Sequence, residues 1–293
     1  MNNDFPIIIS LINYKGGTGK TAITVNLSFV LEFVLNTKLQ SKKRNKKKYR
    51  FLLIDNDPQS SLTKWFYDPE ENFKKEDTIY RIYSIEQEGE NRNYRDSIIY
   101  KTMNPNIDLV PNIYLTSKKM DSLYSSLDGG IFRLKLFIDE IKDLYDFIFI
   151  DNNPSLTIFT KNSFVVSDYI IIPTEPTKMS VEGLSSIIED INLIKKTINP
   201  NISILGILIN RIDRRYKTHI LVSSLIRDFF KDLVFENEIV QRSQIQNCER
   251  DKKPITYFKY HPSYKEFVNL SYEVLERIGI KEEDLIKVGG KNE

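Results

Sequence analysis

Apolar residues along this chain fall into short, unbroken runs separated by longer amphipathic stretches. The clearest runs are Ile7 to Ile12, Phe51 to Ile54, Ile107 to Val110, Phe147 to Ile150, Tyr169 to Ile172 and Ile204 to Ile209. A run that is apolar at successive positions, and not at alternate ones, predicts a strand buried on both faces. Between them, helical periodicity predicts helices over Lys20 to Leu39, Phe132 to Leu144, Val181 to Thr197, Thr218 to Phe230 and Tyr264 to Ile278, and Asn199-Pro200-Asn201 ends one of them. Strands alternating with helices predict an α/β fold, a doubly wound and mostly parallel sheet flanked by helices. The polar, weakly periodic stretch from Trp65 to Asn106 is expected to decorate the sheet and not to form it.

Neither a Pro- or Ser-rich linker nor an internal repeat divides the chain, so one domain over residues 1–293 is expected, with 281–293 a frayed tail. The first strand begins too soon for an amino-terminal helix-turn-helix. A fraction of 41% apolar residues can fill a sizeable core. No run approaches the ~18 apolar residues of a membrane-spanning helix, and the start lacks the basic region of a secretory signal. A soluble, intracellular protein is therefore expected. Cys248 is the single cysteine, which excludes an internal disulfide and an iron–sulfur cluster held within one chain; with His219 and His261 the only histidines, a zinc site is disfavoured.

Lys and Arg number 42 against 40 Asp and Glu, so net charge says nothing about nucleic acid. The densest basic stretch, Lys42 to Arg50, reads as a solvated loop, with attraction to phosphate backbones as the alternative.

The chemistry concentrates after the first strand, where Lys15-Gly16-Gly17-Thr18-Gly19-Lys20-Thr21 leads into a helix. Glycines let backbone N–H groups approach phosphates, and the helix amino terminus adds its positive dipole end. Lys20 is expected to contact the β- and γ-phosphates and Thr21 to ligate Mg²⁺. Tyr14 occupies the position where the strict phosphate-loop pattern has its first glycine.

The segment Asn13 to Thr21 resembles the deviant Walker A motif of the ParA/MinD superfamily, in which an extra lysine precedes the glycines. The resemblance implies ATP and Mg²⁺ as cofactors and a nucleotide site formed by Lys15, Gly16, Gly17, Thr18, Gly19, Lys20, Thr21 and Ala22. It also implies that Lys15 reaches across to the nucleotide of a second subunit. Leu52 to Ser61, with Asp55-Asn56-Asp57-Pro58-Gln59, is similar to the family's D-x-D-P-Q motif, which makes Asp57 the residue that orients attacking water and puts Asp55 close to the metal. Tyr145 to Ser155 resembles the family's Walker B, with Asp151 holding Mg²⁺ through its water shell and Asn153 where a proline is usual. Asn210, directly after the Ile204 to Ile209 run, corresponds to the asparagine that reads adenine.

Weaker matches follow in the family's order: Thr78-Ile79-Tyr80, Ile107 to Asn112, Ile172 to Pro176, Ser180 to Leu184, Ile239 to Ser243, Lys253-Pro254-Ile255 and Glu273 to Arg277. Together they resemble the ParA branch. That resemblance implies a weak Mg-dependent ATPase that segregates plasmids or chromosomes. Its ATP-bound homodimer would bind double-stranded DNA without sequence preference, and a ParB-type centromere-binding protein would stimulate release. It would be cytoplasmic and nucleoid-associated. Candidate DNA contacts are Arg214, Arg215, Lys217, Lys231 and Arg242. Two alternatives remain at this level. One is a MinD-type regulator cycling on membranes, against which the acidic Lys281 to Val288 offers little apolar surface. The other is a binding protein latched by ATP with negligible turnover.

Overall fold

The computed structural model describes residues 6–38, 48–84, 97–114 and 130–280. Its centre is an eight-stranded sheet of β1 (Ile7–Leu11), β2 (Phe51–Asn56), β3 (Tyr100–Lys101), β4 (Ile107–Val110), β5 (Phe147–Asn152), β6 (Tyr169–Thr174), β7 (Ser203–Ile212) and β8 (Ile239–Val240), in the order β3-β4-β2-β5-β1-β6-β7-β8. Every pairing is parallel except β3 with β4. The main helices are α1 (Lys20–Phe33), α2 (Arg133–Ile141), α3 (Ile158–Val166), α4 (Ser180–Thr197), α5 (Lys217–Phe230), α6 (Ser243–Arg250) and α7 (Pro262–Arg277).

Side chains alternate across the sheet and so divide the core in two. Ile9 and Leu11 of β1, Leu53 of β2 and Phe149 of β5 face α1 and α7, where they join Leu27, Val30 and Phe267. On the other face Ile8, Ile54 and Ile150 meet Phe137 and Ile138 of α2, while Ile170 and Ile172 meet Leu184, Ile187 and Ile191 of α4 and Ile226 of α5. Phe51 and Phe147 stack across β2 and β5 with ring centroids 4.9 Å apart. Each such ring, fully buried, contributes about 1.5–3 kcal/mol of hydrophobic stabilisation.

The polar stretch 65–106 does more than decorate. It supplies edge strand β3, and it buries Trp65, Ile79, Ile82, Tyr83 and Ile98. Its apolar residues are spaced irregularly because they come from one-turn helices such as Pro69–Asn72 and Tyr80–Tyr83 and from the segments between them. Helix α1 gives way to a π-helical turn at Val34–Lys38. Residues 42–47 of the basic stretch and the tail 281–293 lie outside the described residues. At the end of that stretch, Arg50 donates to the buried Asp108 at 2.6 Å, so it is committed to the sheet. Among the described residues, no helix is long and apolar enough to cross a membrane.

From β1 the chain moves outward to β2 and β4, returns to insert β5 between β2 and β1, and then continues past β1 to β6, β7 and β8. The direction of winding therefore reverses around β1. Open α/β sheets bind ligands at the carboxyl ends of the strands flanking such a reversal.

Candidate nucleotide site

The loop between β1 and α1 turns through two glycines in the left-handed region, Gly17 (φ +78°) and Gly19 (φ +87°). A side chain is strained at either position. At Gly19 space forbids it as well, because a Cβ would stand 2.3 Å from Asn210 Nδ2. Gly16 and Gly17 face open space. Thr18 Oγ1 is buried and has no hydrogen-bond partner among the described residues. Lys20 is buried, and its Nζ folds back over the loop to the carbonyl of Asn13 at 3.0 Å. Burial lowers its pKa, while the charges of Asp151 and Asp57 act the other way.

Beneath the loop, Thr21 Oγ1 donates to Asp151 Oδ2 at 2.6 Å, and Thr24 Oγ1 lies 3.5 Å from Asp151 Oδ1. Asp151 stands in register with Asp55 on β2 and with Leu11 on β1. Fully buried, it has its carboxyl pushed up to about 7, mainly by desolvation, with the Thr21 hydrogen bond opposing and the Asp57 charge adding. Burial followed by the Asp151 charge raises Asp55 well above the carboxylate range, and burial raises Asp57. The buried Asp55 and Asp151, the half-buried Asp57 and the single buried ammonium of Lys20 form a site that a further cation would stabilise. The hydroxyl and carboxylate of Thr21 and Asp151 fit Mg²⁺, and the open glycine turn with the unpartnered Thr18 hydroxyl fits phosphate.

The acids divide their work. Asp55 Oδ2 accepts from both the backbone N–H and the hydroxyl of Thr63, at 2.7 and 2.6 Å, and Oδ1 from the N–H of Asp57 at 3.3 Å. Expected near the metal, Asp55 lies beside Asp151 but directs its oxygens at Thr63, bracing the loop that carries Asp57. Asn112 braces the same loop through the carbonyls of Asp55 and Asp57. Asp57 Oδ1 accepts from Gln59 N, and Oδ2 accepts no hydrogen bond among the described residues.

Lys15 sits at the mouth of the loop, its Nζ 3.4 Å from Thr177 Oγ1 beyond β6. Asn210 lies within β7, which extends past the sequence-predicted end to Ile212. Its amide is committed to the carbonyl of Thr18 at 2.7 Å. Beside it opens a shallow cleft lined by Ala22, Asn210, Val240, Arg242, Ile245 and Gln246, among others.

The basic residues assigned to DNA are scattered. Arg214 pairs with Glu238 and Arg215 with Asp213, both at 2.6 Å, although both guanidinium groups stay largely exposed. Lys217 and Lys231 are exposed at opposite ends of α5 and form no ion pair among the described residues. A helix of 14 residues separates them by about 21 Å. Arg242 does not join this surface. It pairs with Glu266 at 2.5 Å and lines the cleft beside Asn210.

Sequence reading missed Thr24, Thr63, Asn112, Glu175 and Thr177. Glu175, inside the Ile172 to Pro176 match, and Asn112, at the end of the Ile107 to Asn112 match, had a signal that could have found them.

A glycine turn with a buried lysine, a Thr–Asp pair below it and a second acidic loop beside it, all at the winding reversal of a parallel sheet, define a P-loop nucleoside triphosphatase. A family model described as "AAA domain" matches residues 7–204. An uncharacterized protein of Methanocaldococcus jannaschii is 30% identical over 93% of this chain and 99% of its own length. The sporulation initiation inhibitor protein Soj of Bacillus subtilis is 29% identical over 86% of this chain and 90% of its own. A putative plasmid partition protein of Borrelia burgdorferi, solved with AMPPNP bound, superposes with a TM-score of 0.67 at 26% identity, covering 93% of this chain and 98% of that one. The chain belongs to this AAA-domain family, within its ParA-type partition ATPases.

Proposed function

We propose that this chain is an Mg-dependent ATPase that partitions DNA, working as a switch between an ATP-bound homodimer on DNA and a released form. The observation that carries the reading is the convergence of Lys15, Lys20, Thr21, Asp57 and Asp151 on one edge of the sheet.

In this reading the N–H groups of Gly16 to Ala22 and the Lys20 ammonium hold the phosphates. Thr21 and Asp151 hold Mg²⁺, which when bound neutralises charge on the β- and γ-phosphates. Asp57, its loop braced by Asp55 and Asn112, turns its unoccupied oxygen to a water and orients it for attack on the γ-phosphorus. The purine lies in the cleft beside Asn210, and Lys15 leaves Thr177 to meet the nucleotide of a second copy. Arg214, Arg215, Lys217 and Lys231 contact phosphate backbones without reading sequence. The spread of these residues along α5 fits a long surface assembled by two subunits better than one compact patch. A ParB-type protein stimulates hydrolysis and release. The relatives' names and the AMPPNP bound to the Borrelia protein support these roles.

Titration with ATP and Mg²⁺ by calorimetry tests the site. Wild type is expected to bind, and Lys20→Ala to lose binding while keeping its melting temperature. Equal affinity in the two proteins contradicts the assignment.

A further inference from the structure

Two consecutive side chains at the end of β7 hold two consecutive carbonyls of the phosphate loop. Asn210 Nδ2 donates to Thr18 O at 2.7 Å, and Arg211 Nη1 donates to Gly17 O at 2.5 Å. The same Nη1 lies 3.1 Å from Glu175 Oε1, just past the end of β6. The loop is thereby tied to two strands that lie beyond β1 on one side of the sheet.

A regular strand could not do this, because neighbouring side chains point to opposite faces. Arg211 departs from regularity. It has φ +55°, a conformation that side-chain-bearing residues seldom adopt, and the pairing of β7 with β8 shifts register between Asn210 and Ile212. A bulge of this kind re-aims a side chain. Here Asn210 and Arg211 both reach the same loop.

The peptide plane gives the contact a consequence. In a trans peptide the carbonyl of one residue and the N–H of the next point in opposite directions. Holding Gly17 O and Thr18 O toward β7 therefore turns the N–H groups of Thr18 and Gly19 away from β7, where anionic oxygens can accept from them. The Arg211 charge is shared with Glu175, so the pair supplies direction to the loop more than added positive charge.

We infer that Arg211, steadied by Glu175, is a positioning residue for the nucleotide, presetting the orientation of the Thr18 and Gly19 N–H groups before phosphate arrives. Glu175 acts only through Arg211. The inference rests on the reading of this loop as an ATP site. It also shifts the role of Asn210 toward holding the loop, in addition to any contact with the base.

The test is a double-mutant cycle with wild type, Arg211→Ala, Glu175→Gln and the double variant. ATP affinity is measured by calorimetry, and hydrolysis at varied ATP. Arg211→Ala is expected to weaken binding and raise KM roughly tenfold, the scale of a lost charge-assisted hydrogen bond. Its kcat at saturating ATP should stay within about a factor of two, because the contact serves ground state and transition state alike. Glu175→Gln is expected to have a smaller effect, and the double variant to match Arg211→Ala alone. Wild-type affinity in Arg211→Ala overturns the inference, as do additive losses in the double variant or a fall in kcat with KM unchanged. If wild type binds no ATP, the reading of the site falls first and the inference with it.

Discussion

Thr21 and Asp151 meet through a hydrogen bond of 2.6 Å from hydroxyl to carboxylate, joining the first turn of α1 to β5 beneath the phosphate loop. The contact unites residues 130 positions apart. It brings the hydroxyl and the carboxylate that fit Mg²⁺ to one point.

The pair carries a pH dependence whose sign follows from its burial. The Asp151 carboxyl is pushed up to about 7 from 3.8, so between those values the folded protein keeps a proton that the unfolded chain has released. Stability from this group is full below about pH 4, falls as pH rises through about 7, and is level above. The difference is on the order of a few kcal/mol. Urea unfolding without nucleotide or metal is expected to give a falling profile over that window in wild type and a flatter one in Asp151→Asn. Because Mg²⁺ competes with the proton, its enhancement of ATP affinity should be weaker at pH 6 than at pH 8.

Among the described residues the Lys15 ammonium is held by Thr177 Oγ1 alone, at 3.4 Å, a contact weak enough to exchange for a phosphate of a second subunit. Lys15→Gln is expected to bind ATP within a few-fold of wild type, since Lys20 remains, yet to stay monomeric with ATP by light scattering. A dimer of wild-type stability contradicts the role given to Lys15.

Asp57 combines a braced backbone with one carboxylate oxygen that accepts no hydrogen bond among the described residues. Asp57→Ala is expected to slow single-turnover hydrolysis by about a hundredfold or more, with ATP affinity little changed. On DNA the variant should remain bound in ATP long after wild type has left. Wild-type turnover would remove Asp57 from the chemistry.

Much of this molecule could be read from its sequence, for physical reasons that also mark where reading stops. Central strands such as β2 and β5 are fully buried, so their residues form apolar runs that nothing else in a polar chain imitates. The two-residue strands β3 and β8 and the polar helix α6 carry no such run, and neighbouring structure imposes them. Lys20 and Thr21 stand out in the sequence because a glycine turn leading into a helix is a local pattern. Asp57 and Asp151 stand out in the sequence because each closes an apolar run, Asp57 just past β2 and Asp151 near the end of β5. The bracing of Asp55 by Thr63 spans eight positions, and the contact of Arg211 with Gly17 spans 194. Neither leaves a local pattern. Arg242 falls within a matching motif, but its pairing with Glu266 at the cleft spans 24 positions and leaves no local pattern either.

The central claim is an ATP-gated hold on DNA, and the most direct measurement is a salt titration of binding to random-sequence double-stranded DNA with ATP, with ADP and without nucleotide. Tight binding is expected with ATP alone, and its logarithm should fall linearly and steeply with the logarithm of salt as phosphate contacts release counterions. Binding that is equal in all three states, or ATP-dependent binding to anionic liposomes in place of DNA, would contradict the account.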